Sequence, residues 1–115
     1  MQWSHLTDED QLNNIINRSQ EKSQVIFKHS SRCSISSIVL NRLKQNIPPE
    51  DVDFYFLDLL AYRKISNKVT QLFHVHHESP QILIIKKGKC VYDESHLGIS
   101  MDEIIEHAYT NTIKS

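Results

Sequence analysis

Apolar residues along this chain fall into two rhythms, short continuous runs and stripes at helical spacing. The runs lie at residues 24–28, 52–59 and 81–86, and they are rich in Val, Ile, Leu, Phe and Tyr. Short apolar runs of β-branched and aromatic residues between polar turns predict buried strands. The stripes are Leu12, Ile15 and Ile16; then Ile35, Ile38, Val39 and Leu43; then Ile65, Val69, Leu72 and Phe73; and last Ile104, Ile105 and Ala108, with Tyr109 at the end. Steps of three and four residues place each set on one face of a helix.

The polar residues between these segments say where they start and stop. Thr7, followed by Asp8, Glu9 and Asp10, is the expected cap of a first helix over residues 8–19, its acids complementing the positive helix end. Pro48 and Pro49 are expected to close the second helix. Ser66 reads as a cap for the third. Lys87-Gly88 predicts a tight turn joining strand 81–86 to a return strand that begins at Cys90-Val91-Tyr92. Ser100-Met101-Asp102-Glu103 has the form of a capping box opening the last helix. Residues 2–6 are short enough for an edge strand.

The order is therefore an optional strand, then α, β, α, β, α, a β-hairpin and α. Strand–helix–strand units favour parallel pairing through a right-handed crossover, and the hairpin adds antiparallel strands. The expected class is α/β: a central mixed sheet of about four to five strands, flanked by about four helices. At 115 residues without repeat or linker, the whole chain, 1–115, reads as a single domain.

Composition narrows the function classes. A formal net charge of −1 gives no bulk attraction to nucleic acid or to an anionic membrane, so neither is an expected partner. No apolar run approaches the ~18 residues of a membrane span. The N-terminus, Met1-Gln2-Trp3-Ser4-His5-Leu6, lacks a basic stretch followed by an apolar one. A cytoplasmic, reducing location is the expectation, in which the two cysteines do not form a structural disulfide.

Cys33 is then the candidate nucleophile. It follows a strand and a polar knot, His29-Ser30-Ser31-Arg32, and stands at the first turn of a helix. Thiolate is the reactive form, and the unpaired N–H groups of a helix start favour the anion. Lys28, His29 and Arg32 are near in sequence and can add positive charge. The competing reading is a small, inert, buried cysteine. Three residues on, where a dithiol enzyme would carry its resolving cysteine, stands Ser36, so a redox site here is monothiol. Cys90 follows the far turn of a strand leaving the site, on the order of 15–20 Å from Cys33 at ~3.3 Å per residue, and reads as structural. His74, His76 and His77 form a small cluster, but no acidic or Cys partner stands at metal-ligand spacing, and no metal is expected. Pro80 is either a loop terminator or a cis-proline facing the nucleophile.

Taken together, Phe27-Lys28-His29-Ser30, Arg32-Cys33, Ile35-Ser36 and His77-Glu78-Ser79-Pro80-Gln81 resemble the YtxJ family, the monothiol bacilliredoxins, over nearly the whole chain. The resemblance implies a thioredoxin-like fold, Cys33 as catalytic thiol and Pro80 as its cis-proline. Lys28, His29, Ser30, Arg32, Ser36, His77 and Ser79 become the residues that stabilise the thiolate or bind substrate. It implies an enzyme, a thiol–disulfide oxidoreductase removing bacillithiol from mixed disulfides on client proteins. Its partners would be S-bacillithiolated proteins and either bacillithiol or a reductant protein. No cofactor is implied, bacillithiol being a co-substrate whose malate carboxylates Arg32, Lys28 and His29 would orient. The family usually carries Pro after the cysteine; Ser34 stands here. The rival is a non-catalytic thioredoxin-fold module that senses oxidation or binds a partner.

Overall fold

Strand β2 (Gln24–His29) is buried from end to end and lies at the middle of the sheet. Around it the chain runs β1 (Ser4–His5), α1 (Glu9–Arg18), β2, α2 (Ser34–Lys44), β3 (Asp53–Asp58), α3 (Arg63–Phe73), β4 (Gln81–Lys86), β5 (Lys89–Ser95), a short 3₁₀ turn at His96–Gly98, and α4 (Met101–Tyr109). The structure, a computed structural model, describes residues 3–109. Residue 2 of the expected edge strand lies outside them.

The five strands are ordered β1-β3-β2-β4-β5. β1 and β2 are parallel to β3, whereas β4 is antiparallel to both β2 and β5. Side chains alternate across a strand, so the central strands feed two cores. On one face Val25, Phe27, Ile82 and Ile84 pack with Val39 and Leu43 of α2 and with Ile104 and Ala108 of α4. On the other, Ile26, Leu83 and Ile85 pack with Leu12 and Ile15 of α1 and with Ile65, Val69 and Phe73 of α3. This is the mixed sheet between two helical layers that the order of elements predicts.

Local chemistry moves several expected boundaries. The first helix is capped by Asp8 rather than Thr7: Asp8 Oδ1 accepts from Gln11 N at 3.0 Å, and Gln11 Oε1 accepts from Asp8 N at 3.1 Å. Gln11 as reciprocal partner selects Asp8, because a capping box needs residues three apart. α2 ends at Lys44, ahead of Pro48 and Pro49, with its last N–H bonds made at Gln45. Its buried side chains are Ser36, Val39 and Leu43, while Ile38 is 50% exposed. Steps of three and four from Ser36 define that face, and Ile38 falls beside it. Ser66 does not cap α3; Tyr62 occupies the cap position, and Ser66 is buried one turn inside the helix. Tyr109 is exposed.

At the hairpin both Lys87 (φ 53°) and Gly88 (φ 77°) adopt left-handed backbone, the pairing that lets two strands reverse without splaying. Ser100 Oγ accepts from Glu103 N at 3.2 Å, as its capping motif requires.

Candidate active site around Cys33

The end of β2 delivers the chain to a tight turn, closed by Cys33 N donating to Ser30 O at 3.1 Å. Cys33 is the N-cap residue of α2, with extended backbone (φ −108°, ψ 117°) and its carbonyl accepting from Ser37 N at 3.2 Å. Its side chain makes no capping bond, and the residue is partly exposed. The thiol therefore sits at the positive end of a helix dipole, where the first-turn N–H groups have no intrahelical partner. No acidic residue occupies that turn.

Ser36 lies one turn in, fully buried, and ties the strand to the helix. Its Oγ accepts from Ser30 N at 3.2 Å and lies 2.7 Å from His29 Nδ1. Burial is the main cause that pushes the His29 imidazole below its ordinary value, with Asp58 opposing and Lys44 assisting. Ser30 adds a further bond, its Oγ accepting from Arg32 N at 3.3 Å. Ser30 and His29 are thus buried supports of the loop, whereas Arg32 is exposed beside the thiol.

The second wall is the segment before β4. The Ser79–Pro80 bond is cis. Gln81 pairs with Lys28 in the sheet, which sets Pro80 beside the end of β2. Gln81 Nε2 donates to His76 O at 2.8 Å, and Pro80 O accepts from His96 N at 3.1 Å. Glu78 Oε1 lies 3.5 Å from His96 Nε2. Ser79 Oγ is buried and has no partner among the described residues.

One expected grouping is not realised. Lys28 and His29 are consecutive strand residues, so their side chains leave opposite faces of the sheet. His29 joins Ser36 of α2; Lys28 goes to the other layer, where its Nζ lies 3.0 Å from His77 Nδ1 and 3.4 Å from Thr70 Oγ1 of α3. Lys28 is fully buried, and that burial pushes its ammonium down to about 8, against the opposing pull of Glu78. It therefore meets neither solvent nor the α2 face, and its contact runs through His77. His77 is itself exposed. Partial desolvation of its packed side holds its imidazole low, then the charges of Lys28 and Arg63, with Glu78 opposing.

Thr70, Asp58 and His96 belong to this surround and were not singled out from the sequence. Thr70 carried a signal: Ser66 and Thr70 are one turn apart beside the apolar stripe of α3. Asp58, whose Oδ1 accepts from Leu60 N and Ala61 N at 3.1 and 3.2 Å, and His96 arrive only through the sheet. Cys90 stands at the far end: it pairs with Ile85, which pairs with Gln24 at the start of β2. Burial pushes its thiol up to about 11, and Sγ lies 3.3 Å from Tyr92 O. Among the described residues no three His, Cys, Asp or Glu side chains gather as a metal-ligand set.

A thiol at a helix start, a serine in place of a resolving cysteine and a cis-proline beside them are the parts of a one-cysteine exchange site. The family model for monothiol bacilliredoxin BrxC matches residues 4–104. The chain belongs to that bacilliredoxin family. Membership supports thiol–disulfide redox chemistry, and solved structures agree on the fold. A protein described as a candidate oxidoreductase with a thioredoxin fold superposes with a TM-score of 0.78 at 26% identity, over 90% of this chain and 90% of that one. Thioredoxin from Schistosoma mansoni gives 0.71 at 16% identity, over 93% of each chain. Thioredoxin from Malassezia sympodialis gives 0.72 at 14% identity, over 93% of this chain and 88% of that one. This bacilliredoxin-family chain thus has the thioredoxin fold. No helix among its described residues is long and apolar enough to cross a membrane.

Proposed function

We propose that the chain is a monothiol oxidoreductase that removes bacillithiol from mixed disulfides on client proteins through Cys33. The observation that carries this reading is the pairing of Cys33 at the head of α2 with a serine, Ser36, one turn inside it. In the first step the Cys33 thiolate attacks the bacillithiol-side sulfur of the client's mixed disulfide. A disulfide forms between Cys33 and bacillithiol, the client's S–S bond breaks, and the client thiolate leaves with the electron pair and takes a proton from solvent. Ser36 has no sulfur with which to expel the adduct, so a second thiol must do it. Free bacillithiol or a reductant protein attacks the adduct and regenerates the Cys33 thiolate. The exchange conserves disulfides and needs no resident cofactor.

The surrounding residues divide the work. The first turn of α2 leaves its N–H groups without intrahelical partners at the residue that carries the thiol. Ser36, His29 and Ser30 hold the turn in which the thiol stands. Arg32, exposed next to the thiol, meets a carboxylate of bacillithiol. The reading places the reaction in the cytoplasm, the reducing compartment in which such adducts are turned over.

Mass spectrometry after incubation with a bacillithiol-capped client protein tests it. Cys33 should carry bacillithiol, the client should be freed, and added bacillithiol should drive repeated turnover; Cys33→Ser should do none of these. A single modification of Cys33 without turnover would instead identify a sensor, and no adduct at all would overturn the exchange reading.

A further inference from the structure

Lys28 is a buried cation that the exchange chemistry does not use. Its side chain has no exposed surface, and its Nζ meets His77 Nδ1 at 3.0 Å and Thr70 Oγ1 at 3.4 Å. An ammonium carries three donors and no acceptor, so at that contact His77 Nδ1 must accept. The ring's one remaining hydrogen is then on Nε2, on the side away from Lys28. His77 is exposed, and it stands three residues before the cis-proline next to the end of β2.

Three charged groups act on this ring. Lys28 comes from β2 and Arg63 from the first turn of α3; both disfavour a second proton on the imidazole. Glu78, the adjacent residue, opposes them, and its Oε1 lies 3.5 Å from His96 Nε2 of the 3₁₀ turn. The result is a neutral N–H donor in a positive surround, on the segment that leads to the cis-proline beside the end of β2.

We propose that Lys28 is a positioning residue that fixes His77 as its Nε2–H tautomer, and that this N–H binds a carboxylate of the small thiol exchanged at Cys33. The inference rests on the exchange reading above and adds a specificity determinant to it: acidic small thiols are selected over neutral ones. It also gives Lys28 a role at a distance, since its own donors never reach the substrate.

The experiment compares one reporter protein capped either with bacillithiol or with 2-mercaptoethanol, which has no carboxylate. Wild type should prefer the bacillithiol cap. Lys28→Met and His77→Phe should each lower the ratio of the two rates roughly tenfold, the value of a charge-assisted hydrogen bond. His77→Gln should restore most of the preference, because its amide can accept from Lys28 and donate outward. Nitrogen-15 NMR of His77 should show hydrogen on Nε2 in wild type and a mixture of tautomers in Lys28→Met. An unchanged ratio in Lys28→Met and His77→Phe, or hydrogen on Nδ1 in wild type, overturns the proposal while Cys33-dependent exchange stands. Failure of wild type to exchange with either cap removes the exchange reading and this inference with it. If Lys28→Met does not fold, the contrast between His77→Phe and His77→Gln decides.

Discussion

Ser36 Oγ lies 2.7 Å from His29 Nδ1, binding the first turn of α2 to the last residue of β2 directly beneath the loop that carries Cys33. The hydroxyl therefore does structural work at the position where a dithiol enzyme keeps its second sulfur. Two outcomes follow for this residue. Ser36→Ala leaves buried polar groups on His29 and Ser30 without this partner, and should destabilise the fold by about 1–3 kcal/mol in urea unfolding. Ser36→Cys puts a thiol at the third position of a helix whose cap is Cys33, and cap and third-position groups lie close together. Loaded with bacillithiol, that variant should expel the adduct and form an intramolecular disulfide, seen in intact mass as loss of bacillithiol and of two hydrogens. Retention of the adduct as in wild type would show that residue 36 does not reach Cys33.

The two cysteines should behave differently. Cys33→Ser should abolish exchange, and Cys90→Ser should leave the rate nearly unchanged, because the sheet register puts Cys90 at the opposite end of β2. Burial pushes the Cys90 thiol up to about 11, so it stays protonated at neutral pH. In limited alkylation at pH 7 followed by peptide mapping, Cys33 should be labelled first. Equal labelling, or a Cys33–Cys90 disulfide, would contradict the strand order.

Burial of Lys28 makes stability depend on pH in a defined direction. Its folded value is pushed from 10.5 down to about 8, so between these values the unfolded chain holds a proton that the folded chain has released. Stability contributed by this residue therefore rises with pH across that window, by about 3 kcal/mol in all at ~1.4 kcal/mol per pH unit. Lys28→Met lacks the rise. Urea unfolding of both proteins at several pH values between 7 and 10.5 should show the variant's relative advantage shrinking as pH increases; parallel curves would mean that Lys28 is not charged and buried as described.

Gly88 separates stability from function. Its φ of 77° is costly for a residue with a Cβ, although a Cβ there would meet Gln20 Nε2 and Ile16 Cγ2 at ordinary distances, 3.7 and 3.8 Å. Gly88→Ala should lower stability by about 1 kcal/mol and leave the exchange rate per folded molecule unchanged, since the hairpin is remote from Cys33. A fall in that rate would place the hairpin in the site.

The sequence by itself determined the elements, their order and the strand-to-helix junction that holds Cys33. Apolar periodicity reports which face of each segment is buried, and the strand-to-helix junction at Cys33 is local, so both are readable along the chain. Resemblance through Arg32-Cys33 and Ser79-Pro80 added the cis-proline, which local pattern had left open. Boundaries shifted where one hydrogen bond outweighed propensity, as at Asp8 and Gln11. Only the tertiary structure decided which neighbours share a space. Lys28 and His29 are adjacent in the chain and belong to opposite layers, because a strand turns successive side chains to opposite faces. Lys28 meets His77, forty-nine residues away, since the β2–β4 register brings Gln81 against it and the loop before Pro80 follows. Contacts of that kind depend on which strands pair and which helix covers which face, a property of the assembled sheet that no local spacing encodes.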